Sequence, residues 1–287
     1  MAISDFVPTI WSARFLRHLD ANQVWLSLCD TSWSSDISQS GDTIKIPKFT
    51  KSVTIGDYHA SNDISAAESA TGDVVTLTVN QKKYFNIGVD DIVAVQSQPN
   101  ILDQFQARAA IGMSELIEGY LEDIFAANLP AGNNVTIAGN NGNLTRAKLW
   151  AGINDVTIKM DEDDVPSDGR WIVLPVFFKG KLQQYITETN AIAPIGAEVA
   201  RQGFFGKIFG MDVYWTTLID ETTVASKNYI QAYAGQGTNQ VAYAGQIETI
   251  EAYRPEGRFQ DSVRGLYVYG GVVTEASTIY GMRVEKT

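Results

Sequence analysis

Two runs of alternating apolar and polar residues, separated by a long polar stretch, dominate the first third of the chain. Thr43, Ile44, Lys45, Ile46, Pro47, Lys48 and Phe49 make the first. Val75, Thr76, Leu77, Thr78 and Val79 make the second, continued by Tyr84, Phe85, Asn86, Ile87, Gly88 and Val89. Period-two alternation predicts strands. Between them, Gly56 to Asp73 is polar and acidic, with Ser61, Asn62, Asp63, Ser65, Glu68 and Ser69, and reads as a loop tip. Paired, the strands form a long two-stranded ribbon. Such a ribbon is marginal in water, so its apolar face requires a foreign surface or the body of another subunit.

The period then changes to that of a helix. Pro99 suits a first helical position, Asp103 complements the positive end, and the pattern stops at Asn128-Leu129-Pro130. Leu102, Phe105, Ala109, Met113, Leu116, Tyr120 and Ile124 form the apolar stripe. From Pro99 to Leu129 such a helix spans about 46 Å at about 1.5 Å per residue. Glu118, Glu122 and Asp123 lie towards its negative end, which predicts cationic neighbours.

Upstream, Ile10, Trp11, Phe15, Leu16, Leu19, Val24, Trp25 and Leu28 suggest one or two short helices between Pro8 and Asp30, and Thr31 to Ser40 reads as an extended linker. Downstream, AGNN at Ala131–Asn134 and again at Ala138–Asn141 marks a domain boundary. Leu144 to Met160 reads as a helix, Asp161 to Asp168 as an acidic turn, Trp171 to Phe178 as a buried strand and Lys181 to Thr187 as a helix. Met211–Trp215 and Asn228–Tyr233 read as strands. The pentapeptide AYAGQ occurs at Ala232–Gln236 and at Ala242–Gln246 around Gly237-Thr238-Asn239, which predicts a hairpin. Glu248–Tyr253 and Leu266–Val273 predict a second hairpin with the charged tip Arg254 to Asp261.

Composition narrows the function classes. The 287 residues are 45% hydrophobic, enough for a substantial core in one or two domains. A net charge of −11 works against nonspecific nucleic-acid binding, which needs clustered cations. Cys29 is the single cysteine, so an intrachain disulfide and a cysteine-rich metal site are excluded. Met1 to Asp20 lacks the basic start and apolar run of a secretion signal, and no window suits a membrane span, which leads us to expect synthesis in a cytoplasm. Asn134-Val135-Thr136 and Asn143-Leu144-Thr145 then read as turn residues rather than glycosylation sites.

Catalytic chemistry finds little footing. A nucleophilic triad would have only His18 and His59 to draw on, and Ser114 sits inside the long helix rather than on a nucleophile elbow. Asp161, Glu162, Asp163, Asp164 and Asp168 lack the spacing of a calcium loop. Gly235-Gln236-Gly237 places Gln240 where a dinucleotide fingerprint needs its third glycine. No metal or cofactor is expected. A hydrolase using paired carboxylates between Asp155 and Asp168 is the remaining enzymatic alternative.

The order of parts resembles a tailed-bacteriophage major capsid protein of the Hong Kong 97 (HK97-like) type. Three stretches carry the resemblance: Met1-Ala2-Ile3-Ser4-Asp5-Phe6-Val7-Pro8, Tyr84-Phe85-Asn86-Ile87-Gly88-Val89-Asp90-Asp91-Ile92, and Arg258 through Gly270. It implies an α+β, HK97-like capsid fold: an N-terminal arm at 1–40, an extended β-hairpin loop at 41–93, a peripheral domain at 94–130 and 241–287 with a spine helix at 99–129, and a mixed α/β axial domain at 131–240. It implies a non-enzymatic shell protein that assembles into pentamers and hexamers of an icosahedral head, located in the virion after synthesis in the host bacterial cytoplasm. Under that resemblance the extended loop lies across a neighbouring subunit through Lys45, Lys48, Phe49, Lys51, Tyr58, Leu77, Val79, Lys82 and Lys83. The hairpin tip meets other capsomers through Arg254, Glu256, Arg258, Asp261 and Arg264. Implied partners are further copies of the chain, a separate scaffolding protein, a portal, an optional decoration protein, and enclosed double-stranded DNA bound without sequence specificity. Some relatives form Lys–Asn crosslinks between subunits; the loop lysines supply the amines, and no Asn or Glu partner is assigned. A tail or fibre component is the alternative within the same class.

Overall fold

The computed structural model describes residues 23–36, 43–48, 55, 72–90, 101–137, 145–189, 206–219, 221–224, 227–257 and 259–286. Several expectations lie outside the described residues: the helices before residue 23, Phe49, Lys51, Tyr58, His18, His59, the loop tip short of residue 72, the helix start at Pro99, and Arg258.

Strands β1 (Thr43–Lys48) and β2 (Asp73–Thr78) pair antiparallel, with Thr43 opposite Thr78 and Lys48 opposite Asp73. The pleat turns Ile44, Ile46 and Leu77 to one side, where all three are buried. The ribbon stops there. Strand β3 (Gln81–Asp90) does not prolong it but pairs with β11 (Gln260–Val273), from Gln81 opposite Tyr269 to Asp90 opposite Gln260. The expected continuation through Tyr84 to Val89 therefore belongs to a second sheet. β1 offers a partner only six residues long, one of them Pro47 without an N–H, whereas β11 offers a ten-residue edge.

That second sheet has the order β10–β11–β3, with β10 (Val241–Tyr253) and β11 forming the predicted closing hairpin. It is longer than the sequence suggested, running from Val241 opposite Val273 to Tyr253 opposite Ser262, with an irregularity between Ile247 and Thr249. The ribbon lies on one face of it, where Ile44, Ile46, Leu77 and Val79 cluster with Ala242, Ala244 and Val268. The apolar face that seemed to need a foreign surface is thus covered within the subunit.

Helix α1 (Ile101–Asn128) covers the other face; its 28 residues correspond to about 42 Å. Ala110, Met113, Ile117, Leu121 and Phe125 form its buried line, while Leu116 is 50% exposed and Tyr120 and Ile124 sit at the margin. The expected stripe is rotated by one position, about 100°. Two adjacent apolar lines run along this helix, and the sequence period does not choose between them. The choice falls to the partners, because Ile117, Leu121 and Phe125 meet Trp25, Trp171, Tyr233, Tyr267 and Tyr269 in one core.

The rest of the chain forms a mixed seven-stranded sheet. Its order is β4 (Asn134–Ile137), β12 (Tyr280–Lys286), β9 (Lys227–Gln236), β5 (Arg170–Pro175), β7 (Met211–Thr216), β6 (Lys207–Ile208), with β8 (Glu221–Val224) also on β9. Helices α2 (Arg146–Glu162) and α3 (Val176–Thr189) pack on it. Thr145 caps α2 by accepting from the Lys148 N–H. The strand expected to reach Phe178 ends at Pro175, and Val176 begins α3 directly; Phe178 and Leu182 are then one helical turn apart and both enter the core.

The AYAGQ repeat is not a hairpin. β9 already has β12 on one edge and β5 and β8 as its other partners, so β10 leaves for the second sheet and pairs with β11. The repeat instead marks two strands buried on both faces. Ala232 and Ala234 enter one core and Tyr233 the central core; Ala242 and Ala244 face the ribbon and Tyr243 enters the same central core.

Candidate assembly surface

The exposed parts of the second sheet and the ribbon gather most of the described candidate residues. Lys45 projects from the outer face of β1, and Lys82, Lys83 and Tyr84 from β3, with Tyr84 79% exposed. Strand alternation sets this arrangement: Phe85 and Val263 turn towards α1, while Tyr84, Asn86 and Arg264 turn to the opposite side. At the tip, Arg254 and Glu256 are exposed, Asp261 pairs in register with Val89, and Phe259 is 81% exposed.

Two candidates are tied into their own chain. Lys48 Nζ lies 3.1 Å from Glu275 Oε2, fastening the end of β1 to the turn before β12. A hydrogen bond from the Ser277 hydroxyl holds the Glu275 carboxyl below the usual glutamate range against the opposing effect of burial, and Lys48 adds to the lowering. Arg264 donates from Nε (2.9 Å) and Nη2 (2.8 Å) to Glu251 Oε1, directly across the hairpin, and stacks its guanidinium 4.9 Å from the Tyr253 ring. Tyr253 and Asn86 exchange hydrogen bonds at 2.8 and 3.1 Å. A cleft lined by Tyr84, Asn86, Glu251, Arg264 and Leu266 results.

Two further candidates move inward. Leu77 and Val79 are fully buried beneath the ribbon, so their apolar area is satisfied in the subunit itself. Sequence reasoning missed Glu275, Glu251, Tyr253, Asn86 and Phe259. Glu251 was findable once a register was assumed, because it faces Arg264 across the hairpin. Glu275 carried no local signal, since its partner lies far away in sequence.

Two acidic residues of α1 accept hydrogen bonds from uncharged donors. Glu118, 2% exposed, accepts the N–H groups of Val24 and Trp25 on Oε2 (3.0 Å each) and of Leu26 on Oε1 (3.2 Å). Glu122 accepts the Tyr233 hydroxyl at 2.8 Å. In the acidic turn, Asp161 pairs with Arg170 at 2.7 Å and Asp163 accepts the Tyr280 hydroxyl at 2.9 Å, so both carboxylates are engaged in structural contacts. Among the described residues no cluster of His, Cys, Asp or Glu has the geometry of a metal site, and no helix is long and apolar enough to cross a membrane.

No protein-family model and no curated protein matches this sequence. Solved structures do match over nearly the full length. A chain from Mycobacterium phage Che8 is 20% identical with a TM-score of 0.71, covering 98% of this chain and 94% of that one. The capsid structure of the cyanophage P-SCSP1u gives 12% identity and a TM-score of 0.71, with 92% and 89% covered. The asymmetric unit of the bacteriophage PhiM1 mature capsid gives 14% and 0.64, with 92% and 87% covered. The chain therefore has an α+β phage capsid-protein fold, in agreement with the HK97-type resemblance.

Proposed function

We propose that this chain is the major capsid protein of a tailed double-stranded DNA phage, a non-enzymatic subunit that assembles with copies of itself into the pentamers and hexamers of an icosahedral head. The observation that carries the reading is a fold shared along more than nine-tenths of the chain with the capsid structure of the cyanophage P-SCSP1u and the mature capsid of the bacteriophage PhiM1. The geometry agrees with it. The long hairpin sheet ends in an exposed tip with Arg254, Glu256 and Phe259, and the ribbon and β3 present Lys45, Lys82, Lys83 and Tyr84 outward. Exposed charges of this kind set register more than affinity, being worth about 0 to 1 kcal/mol each, and symmetry multiplies them.

In this reading, residues 1–40 act as an arm, the ribbon lies on a neighbour in the same capsomer, and the tip at 254–261 meets other capsomers. Residues 131–240 converge at the capsomer centre. Scaffolding, portal and decoration proteins are separate partners, DNA is enclosed without sequence readout, and the virion is the final location. Electron microscopy and analytical ultracentrifugation of the expressed chain test the proposal. Shells or capsomers are expected, alone or with the neighbouring scaffolding product. Monomers under both conditions would overturn it, and closed trimers or rings would favour a tail component.

A further inference from the structure

One short segment touches both elements that flank the second sheet. At its start, Trp25 is fully buried against Phe125 of α1 (ring centroids 5.0 Å apart) and Tyr233 (5.3 Å), and its backbone is held by Glu118 of α1. In its middle, Asp30 bonds to the edge of β10 on either side of Ala242, donating to Val241 O and accepting from the Tyr243 N–H, each at 2.9 Å. At its end, Trp33 packs against the cluster beneath the ribbon, and its Nε1 donates to Asp30 Oδ2 at 2.9 Å. Asp30 also accepts the Ser32 N–H at 3.0 Å, which closes the turn between backbone anchor and ring.

We infer that residues 25–33 form a coupling strap, through which the seating of the ribbon on the sheet and the seating of α1 beneath it become energetically linked. The strap has no rigid element of its own beyond two 3-10 turns, Leu26–Leu28 and Ser32–Asp36. Its path is therefore set by its anchors. Glu118 fixes one end, Trp33 the other, and the Asp30 carboxylate joins the Trp33 ring to the backbone pinned on β10. A displacement at either end reaches the other through that joint, and linkage makes the coupling free energy the same in both directions. This inference stands whether or not the chain builds a shell, because it concerns the isolated subunit.

Amide hydrogen exchange on the full chain tests it. Glu118→Gln keeps one acceptor oxygen and loosens the first anchor. We expect faster exchange at Val24–Leu26, and also in the β1–β2 ladder, by about fivefold. Lys48→Met loosens the ribbon at its Glu275 anchor and is expected to speed exchange at Val24–Leu26 as well. Trp33→Phe keeps the apolar contact, removes the donor to Asp30, and should reduce both cross-effects towards unity. Glu118→Gln acting on its own neighbours alone, with the ribbon unchanged, would overturn the proposal. Cross-effects undiminished in the Trp33→Phe background would overturn the assigned joint.

Discussion

Gly270 of β11 lies against the backbone of Val79. A Cβ at position 270 would stand 2.9 Å from Val79 Cα and closer still to the Thr78 carbonyl oxygen, so the ribbon descends onto the sheet at a position where β11 has no side chain. Backbone cannot yield as a flexible side chain can. Gly270→Ala is expected to lift the end of β2 and destabilise the subunit by about 1–3 kcal/mol. Urea unfolding reads the loss, and faster exchange confined to β1 and β2 would locate it.

Removal of the Glu118 carboxylate has a larger effect than its position on a helix suggests. Glu118→Ala leaves the N–H groups of Val24, Trp25 and Leu26 without their acceptor, the Trp25 N–H fully buried and the other two partly so. A loss of at least about 2 kcal/mol follows, because unsatisfied buried donors cost about 1–3 kcal/mol each. Quenching of Trp25 fluorescence by acrylamide would report the opening.

Glu118 and Glu275 shape the pH dependence in opposite senses. Burial pushes the Glu118 carboxyl up, and the hydrogen bonds from Trp25, Leu26 and Val24 only partly offset it. The folded state therefore holds that proton to higher pH than the unfolded chain does. Stability falls as pH rises from the ordinary glutamate range through the raised value, then levels off. Glu275 is held low, so its contribution is complete above the ordinary range and is lost as pH falls through its lowered value. In unfolding curves between about pH 3 and 8, Glu275→Gln should flatten the acid limb, while Glu118→Gln should remove the decline above it.

Asp164 follows the end of α2 with a φ of 53°, in the left-handed region. The Val165 N–H reaches back to Met160 O at 3.0 Å, the closure of a helix that glycine usually ends. Asp164→Gly should stabilise the protein by about 1 kcal/mol, raising the thermal midpoint by about 2 °C. A lowered midpoint would mean that the carboxylate contributes more than the strain removes.

Lys82 and Lys83 separate folding from assembly. Both are exposed on β3. Changing the pair to Glu should leave subunit stability within about 0.5 kcal/mol. In the proposed shell it should reduce the yield of particles seen by sedimentation; unchanged particles would remove these two lysines from the contact surface.

The elements with a single strong period were legible in the sequence. Helix α1, helix α2, strand β7 and the closing hairpin fall close to their expected places because each has one dominant period or a cap. Errors arose where local pattern left a choice for distant partners. Leu116 and Ile117 both continue a helical stripe, and only the aromatic core beneath α1 selects Ile117. Tyr84 to Val89 alternates equally well for β1 or β11, and the longer edge wins. Ala232–Gln236 and Ala242–Gln246 look like two arms of one hairpin, yet the partner strands β12 and β5 lie elsewhere in the sequence. Of the candidate surface, Lys45, Lys82, Lys83, Arg254 and Glu256 lie exposed, and Lys48 and Arg264 form ion pairs within their own chain. The salt bridge to Glu275 spans residues whose relation no local rule reveals.

The chain passes between the two larger sheets from β9 to β10 and back from β11 to β12, and these crossings are stitched together. Thr274 and Glu275 both donate to Gln240 O, at 2.9 and 3.2 Å, and Gly237 donates to Gly169 O at 3.0 Å. Gln240 itself is fully buried. Two parallel passages braced in this way behave as a welded corner, unlike a single flexible passage, which would let one sheet swivel. Bending is then expected along the three-stranded β10–β11–β3 sheet towards its exposed tip, with its root held fixed.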